Sequence, residues 1–173
     1  MSASQARPTQ APTAQDVSGS YLARQDSAPP RIRLLDVNVL IALCDGRHEH
    51  HLTAAQWFVD NAAAGWASCP LTQNGAIRIM STPAYPGARP VSQVMAQVQA
   101  LCASPHHRFW PDAVSLVEAG TLNPAHLLGH RQLTDAYLLA LAVRNQGQFV
   151  TLDGAVPVQS VAGARAADVV RLI

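Results

Sequence analysis

The sequence contains no lysine, so all 12 of its basic residues are arginines. The 11 Asp and Glu residues balance them almost completely, and the formal net charge is +1. A protein with this balance has no overall basic field of the kind that attracts nucleic acids over long distances. A local row of arginines would still be enough to bind RNA. The composition therefore leaves nucleic-acid binding to be decided by individual residues.

Cysteines and long apolar runs are also scarce. The 173 residues include three cysteines and no C-x-x-C pair, which argues against a disulfide framework or a zinc ribbon. The longest apolar run ends at Asp45 and is too short to cross a membrane. Residues 1–31 lack the apolar segment of a signal peptide. We expect a cytoplasmic protein that does not bind a membrane.

What the sequence does contain divides into a tail and one domain. Residues 1–31 are rich in Ser, Ala, Gln and Pro, and this composition predicts a disordered N-terminal tail. Residues 32–173 have enough apolar side chains for a sizeable core. We therefore predict one folded domain over 32–173.

Short apolar runs alternate with helical segments along this domain. We predict strands at about 32–35, 66–69, 107–110, 149–153 and 168–172. We predict helices at about 37–44, 52–64, 72–80, 92–102 and 135–146, with Thr72, Ser92 and Thr134 as N-terminal caps. This alternation predicts an α/β fold, a three-layer α/β/α sandwich with a mainly parallel central sheet.

Three aspartates occupy comparable places in this pattern. Asp36 follows the first strand and precedes a helix, Asp153 ends the strand at 149–152, and Asp135 begins a helix. Ligands of open α/β sheets bind at the carboxyl ends of the strands, where these residues would gather. Carboxylates brought together repel each other unless a proton or a cation intervenes, and Mg²⁺ prefers such oxygen ligands. Taken singly, Asp135 also fits a helix-start acid and Asp153-Gly154 a turn.

Four segments of the domain carry a resemblance to a known family. They are LLDVNVLIAL at 34–43, SCPLTQNGAIRIMS at 68–81, GHRQLTDAYLLALA at 129–142 and VTLD at 150–153. In order and spacing they resemble a PIN-domain ribonuclease, the VapC-type toxin of a type II toxin–antitoxin pair. The resemblance implies a Mg²⁺- or Mn²⁺-dependent endoribonuclease that cleaves RNA, binds a cognate antitoxin and forms a homodimer.

The family pattern also implies an acidic quartet as the catalytic set. Asp36, Asp135 and Asp153 match three of its members, and we expect these three to be the metal ligands. The second acid of the pattern is usually a Glu, and this chain has Gln73 there. An amide keeps an acceptor oxygen but loses the charge and the ability to act as a base. The sequence fits two origins for Gln73: a glutamine native to this protein, or an introduced substitution of a Glu.

Other polar residues flank these acids. Asn38 and Thr134 are candidates to orient a carboxylate or a water molecule from behind. His130 and Arg131, just before the predicted helix at 135–146, are candidates to face an RNA phosphate. Each of the four also has an ordinary interpretation as a helix-start or loop residue.

Two rival functions stay open at this point. The first is a catalytically weakened PIN domain that mainly binds RNA or antitoxin, which Gln73 favours. The second is an aspartyl-phosphate phosphatase, which also places an Asp at the end of its first strand. That class needs a second Asp two residues later, where this chain has Asn38, and a lysine, which this chain lacks.

Overall fold

A parallel five-stranded sheet lies at the centre of the fold. The computed structural model describes residues 30–173, so almost all of the predicted tail lies outside the described residues. The strands are β1 (Arg33–Leu35), β2 (Trp66–Ser68), β3 (His107–Phe109), β4 (Gln148–Thr151) and β5 (Val169–Arg171). They are ordered β3-β2-β1-β4-β5, and every neighbouring pair is parallel. Because β1 is central, the residue that follows it lies in the middle of the carboxyl edge.

Helices cover both faces of the sheet. They are α1 (Val37–Cys44), α2 (His51–Asn61), α3 (Pro70–Met80), α4 (Val91–Cys102) and α5 (Leu133–Arg144). One apolar cluster joins α5 to Leu34 and Phe149, and a second joins α1, α3 and α4 to Leu35 and Val150. Successive strand residues thus enter opposite layers, as the pleat requires. The predicted three-layer α/β/α sandwich is confirmed.

Close packing of α1 against α3 depends on a glycine. A Cβ atom on Gly75 would lie 2.7 Å from Cγ2 of Val37, which is too close for any real side chain. Val37 is the first residue of α1 and follows Asp36 directly. The contact therefore fixes α3 beside the start of α1, where the first predicted acid lies.

The predicted helix caps were wrong at all three positions. Helix α3 begins at Pro70 after the cap residue Cys69, because proline suits the first helical position. Thr72 is the third residue of the helix, and its hydroxyl accepts from the Cys69 N–H at 3.0 Å. Helix α4 likewise begins at Val91 after Pro90, so Ser92 is its second residue.

At Thr134 the predicted cap was wrong for a reason other than a proline at the helix start. A short 3₁₀ turn over His130–Gln132 continues directly into α5, which begins at Leu133. The turn already brings the chain into a helical course, so Thr134 falls inside the helix and is exposed.

Arg31, which we assigned to the tail, contacts the domain. Its guanidinium pairs with Asp168 at 2.6 Å and donates to the carbonyl oxygen of Gly147. The predicted boundary after residue 31 stays a prediction, but Arg31 itself packs with the fold. Within residues 30–173, no helix is long and apolar enough to cross a membrane.

Candidate active site

Asp36 lies at the carboxyl end of the central strand and caps α1. The residue is 5% exposed. Its Oδ1 accepts from the Val37 N–H at 2.7 Å, and its Oδ2 accepts from the Thr151 hydroxyl at 2.6 Å. Burial raises the pKa of this carboxyl, and the nearby charge of Asp153 raises it further, while these hydrogen bonds oppose the rise. The site therefore begins with a buried acid whose two oxygens are both held.

Asp135 is the third residue of α5 and is half-buried. Burial, followed by the negative charges of Asp36 and Asp153, raises the pKa of its carboxyl to about 7. A carboxyl with such a pKa is poised to gain or lose a proton near neutral pH. This shift also places Asp135 within electrostatic range of both other acids.

Asp153 follows β4 by two residues and is exposed. Its Oδ1 accepts from the Ala155 N–H at 2.8 Å, and its own N–H donates to the Thr151 hydroxyl oxygen at 3.0 Å. Asp153 therefore begins a turn through Gly154, which is one of the two interpretations that the sequence offered. The same turn leaves the second carboxylate oxygen, Oδ2, without a hydrogen bond from the described residues.

Among the described residues, the three acids share negative charge without a basic partner. Ion pairs in this part of the chain run instead from Arg31 to Asp168 and from Arg47 to Asp45, and His50 lies 3.6 Å from Glu49. Oxygen donors with uncompensated charge fit a hard divalent cation. As the side chains stand between residues 30 and 173, however, no three His, Cys, Asp or Glu residues are arranged to hold one metal ion. Coordination by all three would need their carboxylates to move closer together.

Asn38 connects α1 to the end of β4. Its Nδ2 donates to the Thr151 hydroxyl oxygen at 3.1 Å, and its Oδ1 accepts from the Leu152 N–H at 3.2 Å. Asn38 therefore supports Asp36 through Thr151. Sequence reasoning missed Thr151 itself; the available signal was a hydroxyl residue inside an apolar strand, two positions before a strand-end acid.

Gln73 makes its hydrogen bonds away from the three carboxylates. Its Nε2 donates to the Ser68 hydroxyl at 2.8 Å and lies 3.7 Å from Sγ of Cys102. Ser68 is fully buried, and its Oγ also lies 2.8 Å from Nε2 of His107. The structure thus assigns Gln73 to a polar cluster of β2, β3 and α4, which sequence reasoning missed. Its predicted place in the acidic quartet stays a prediction.

The remaining candidates lie at the start of α5. His130 and Arg131 are exposed and line a shallow cavity of about 330 Å³ together with Leu128, Gly129 and Gln132. Gln132 ties this turn to the loop after Asp153, because its Nε2 donates to the carbonyl oxygen of Ala155 at 3.2 Å. Thr134, which directly precedes Asp135, makes no side-chain hydrogen bond within the described structure.

Relatives of the chain identify its family. It is 41% identical over 131 residues to ribonuclease VapC44 of Mycobacterium tuberculosis, an alignment that spans 76% of this chain and 92% of the relative. Ribonuclease VapC38 of the same organism is 43% identical over 71% of this chain and 86% of its own length. The chain belongs to the VapC ribonuclease family. Ribonuclease VapC29 of that organism is 45% identical over 69% of this chain and 84% of its own length.

A solved structure supports the fold of this VapC chain. The crystal structure of M. tuberculosis VapC20, described as a Sarcin-Ricin loop cleaving toxin, matches with a TM-score of 0.51 at 12% identity. The match covers 71% of this chain and 89% of VapC20. No protein-family model matches the chain. The predicted PIN-type fold and toxin endoribonuclease class are confirmed, and the three ribonuclease relatives give the phosphatase alternative no support.

Proposed function

We propose that this VapC chain hydrolyses RNA phosphodiesters at an acidic centre made of Asp36, Asp135 and Asp153. The observation that carries the proposal is Asp36, which is 5% exposed at the carboxyl end of the central strand with its two carboxylate oxygens held by the Val37 N–H and the Thr151 hydroxyl. Burial and the charges of Asp36 and Asp153 also raise the pKa of Asp135 to about 7. Buried charged groups in proteins are usually paired with an opposite charge or coordinate a metal ion. Within residues 30–173 these three acids have no ion pair, and Asp36 is almost closed to solvent.

The donor set favours Mg²⁺ or Mn²⁺ as cofactor, with Asp36 and Asp135 as principal ligands and Asp153 as an auxiliary one. When bound, such a cation supplies positive charge that offsets the charge developing on the phosphate oxygens. The protein's own part is to hold the acids in place. The Val37 N–H and the Thr151 hydroxyl orient Asp36, and the tight turn at Ala155 orients Asp153.

The carboxyl of Asp135 titrates near neutral pH. In the metal-free protein its carboxyl holds a proton up to about neutral pH, since its pKa is about 7. A divalent cation held at this site would favour the charged form of the Asp135 carboxyl.

We also propose contacts with RNA and with protein partners. His130 and Arg131 are exposed beside the start of α5, and we propose that they contact RNA phosphates there. Asn38 hydrogen-bonds to Thr151 behind Asp36, while Thr134 is the weaker candidate because its side chain makes no hydrogen bond within the described residues. We further propose a cognate antitoxin, a homodimer and a cytoplasmic site of action, in line with the family.

A second candidate function is RNA or antitoxin binding with little cleavage. Gln73 favours it, because its amide engages Ser68 and Cys102 and brings no negative charge to the site. Cleavage by the purified wild-type protein at a level above that of the Asp36→Asn variant would exclude it.

The decisive experiment is an RNA cleavage assay with purified protein, run with Mn²⁺ and with excess EDTA. We expect EDTA to abolish cleavage and Asp36→Asn to lower the rate by roughly 100-fold or more. Asp60→Asn is the matched control, because Asp60 is exposed on α2 and bonds only to Gln56 among the described residues. Undiminished cleavage in EDTA, or equal rates for the two variants, would overturn the proposal.

A further inference from the structure

The Thr151 hydroxyl has three hydrogen-bond partners and no access to solvent. It lies 2.6 Å from Oδ2 of Asp36, 3.1 Å from Nδ2 of Asn38 and 3.0 Å from the backbone nitrogen of Asp153. Thr151 is fully buried at the end of β4. A hydroxyl offers one proton and two lone pairs, so these three partners use all of its capacity.

The direction of each of these bonds is determined. The Asp153 backbone N–H is a donor, and it takes up one lone pair of the hydroxyl oxygen. The Asn38 amide presents its NH₂ group, because its Oδ1 is occupied by the Leu152 N–H at 3.2 Å. The only proton of Thr151 therefore points at Asp36, and the hydroxyl cannot turn away without breaking a bond.

This arrangement links two acids of the site. The same oxygen bonds the side chain of Asp36 and the main chain of Asp153, so their positions are set relative to one another. Each oxygen of Asp36 then has one hydrogen bond, which leaves its other lone pair free for a ligand. Resting on the acidic centre proposed above, we propose that Thr151 is a positioning residue that holds Asp36 and Asp153 in the arrangement needed for cleavage.

The test compares substitutions that separate the hydroxyl from the volume of the side chain. Thr151→Ser keeps the hydroxyl and loses a methyl group, whereas Thr151→Val keeps the volume and loses the hydroxyl. We expect Thr151→Ser to keep kcat within about threefold and Thr151→Val to lower kcat roughly 100-fold, with KM for RNA nearly unchanged, since misplacement by about 1 Å costs that much. A packing role for Thr151 predicts the opposite order.

Two measurements report on positioning without catalysis. Mn²⁺ binding followed by calorimetry should weaken by about 10-fold or more in Thr151→Val and stay close to wild type in Thr151→Ser. In the metal-free protein, the amide proton of Asp153 should exchange faster with solvent in the valine variant, because it has lost its acceptor. If the valine variant does not fold, Thr151→Ala is compared with Thr151→Ser, since that pair differs only in the hydroxyl.

The outcomes distinguish this inference from the proposed function. If Asp36→Asn loses cleavage while Thr151→Val keeps wild-type rate and Mn²⁺ affinity, the role of Thr151 is overturned and the acidic centre stands. If Asp36→Asn cleaves like the wild type, the acidic centre itself is wrong. A loss in Thr151→Val together with retention in Thr151→Ser supports the positioning role.

Discussion

The amide of Gln73 donates a 2.8 Å hydrogen bond to the Ser68 hydroxyl, and this bond joins residue 73 to a polar cluster with Ser68, Cys102 and His107. The Ser68 hydroxyl oxygen also lies 2.8 Å from Nε2 of His107 and 3.9 Å from Sγ of Cys102. Burial lowers the pKa of His107. The amide of Gln73 supplies a proton to this cluster that a carboxylate at residue 73 would lack.

Gln73→Glu is expected to release residue 73 from this cluster. A carboxylate cannot donate to Ser68, and its negative charge adds attraction for a divalent cation at the neighbouring acids. We expect a roughly 10-fold gain in cleavage, together with tighter Mn²⁺ binding in calorimetry, in line with the effect of ligand-supporting residues. Gln93→Glu on the exposed face of α4 is the control. Identical behaviour of the two variants would mean that residue 73 lies outside the working site.

The stability of the metal-free protein is expected to fall as the pH rises from about 4 to about 7. In the unfolded chain Asp135 loses its proton near the ordinary pKa of 3.8, whereas the folded protein keeps that proton until about 7. The folded state therefore binds more protons in this window, and the contribution of Asp135 to stability is lost as the pH rises through it. Urea unfolding in EDTA at several pH values measures how the free energy of unfolding changes with pH.

Asp135→Asn is the reference for that measurement, since an amide does not titrate. The difference in unfolding free energy between the variant and the wild type should grow from pH 4 to pH 7 in favour of the variant. A difference that stays constant with pH would show that the Asp135 pKa is not raised in solution.

Divalent cations are expected to raise the thermal midpoint of the wild-type protein, and more so above pH 7 than at pH 5. Protons compete with the cation for Asp135 below its pKa of about 7. At a Mn²⁺ concentration of 100 times Kd the stabilisation would be about 2.7 kcal/mol. Differential scanning fluorimetry with Mn²⁺ measures the shift. Asp36→Asn should lose it and Asp60→Asn should keep it; an equal shift in both variants would contradict the site.

Gly75→Ala is expected to destabilise the protein by about 1–3 kcal/mol, because its methyl group would meet Cγ2 of Val37 at 2.7 Å. Chemical denaturation measures the loss. Gly129→Ala, where an added methyl group meets nothing within 4 Å, is the control. The double variant Val37→Ala/Gly75→Ala should recover part of the stability. If its stability loss equals the sum of the losses in the two single variants, the contact is contradicted.

Local sequence predicted the centre of the fold, around β1 and α1, better than it predicted where the other helices begin. Apolar Leu34 and Leu35 followed at once by Asp36 and a helical run indicate a strand, an acid and a helix, and the structure has all three. The caps were wrong because Thr72 and Thr134 are good capping residues that lie inside longer helices. Proline at position 70 and the 3₁₀ turn before α5 start those helices earlier.

The polar contacts of the site were less accessible to sequence reasoning. Thr151 meets Asp36 across 115 residues, and Ser68 meets His107 across 39. No local pattern signals such pairs, because they depend on which strands become neighbours and on the register between them. The sequence offered the three acids as candidates, and the structure was needed to find which groups hold Asp36 and Asp153.

The bond between Arg31 and Asp168 has a practical consequence for handling the protein. Arg31 precedes β1 and Asp168 precedes β5, so the chain enters the domain at the amino edge of the parallel sheet, while Asp36 and Asp153 follow the carboxyl ends of their strands. A fluorophore or surface anchor attached ahead of residue 30 therefore joins the domain on the side remote from the acids. For single-molecule measurements of RNA binding, the protein can be immobilised through that side, which leaves the three acids facing the solution.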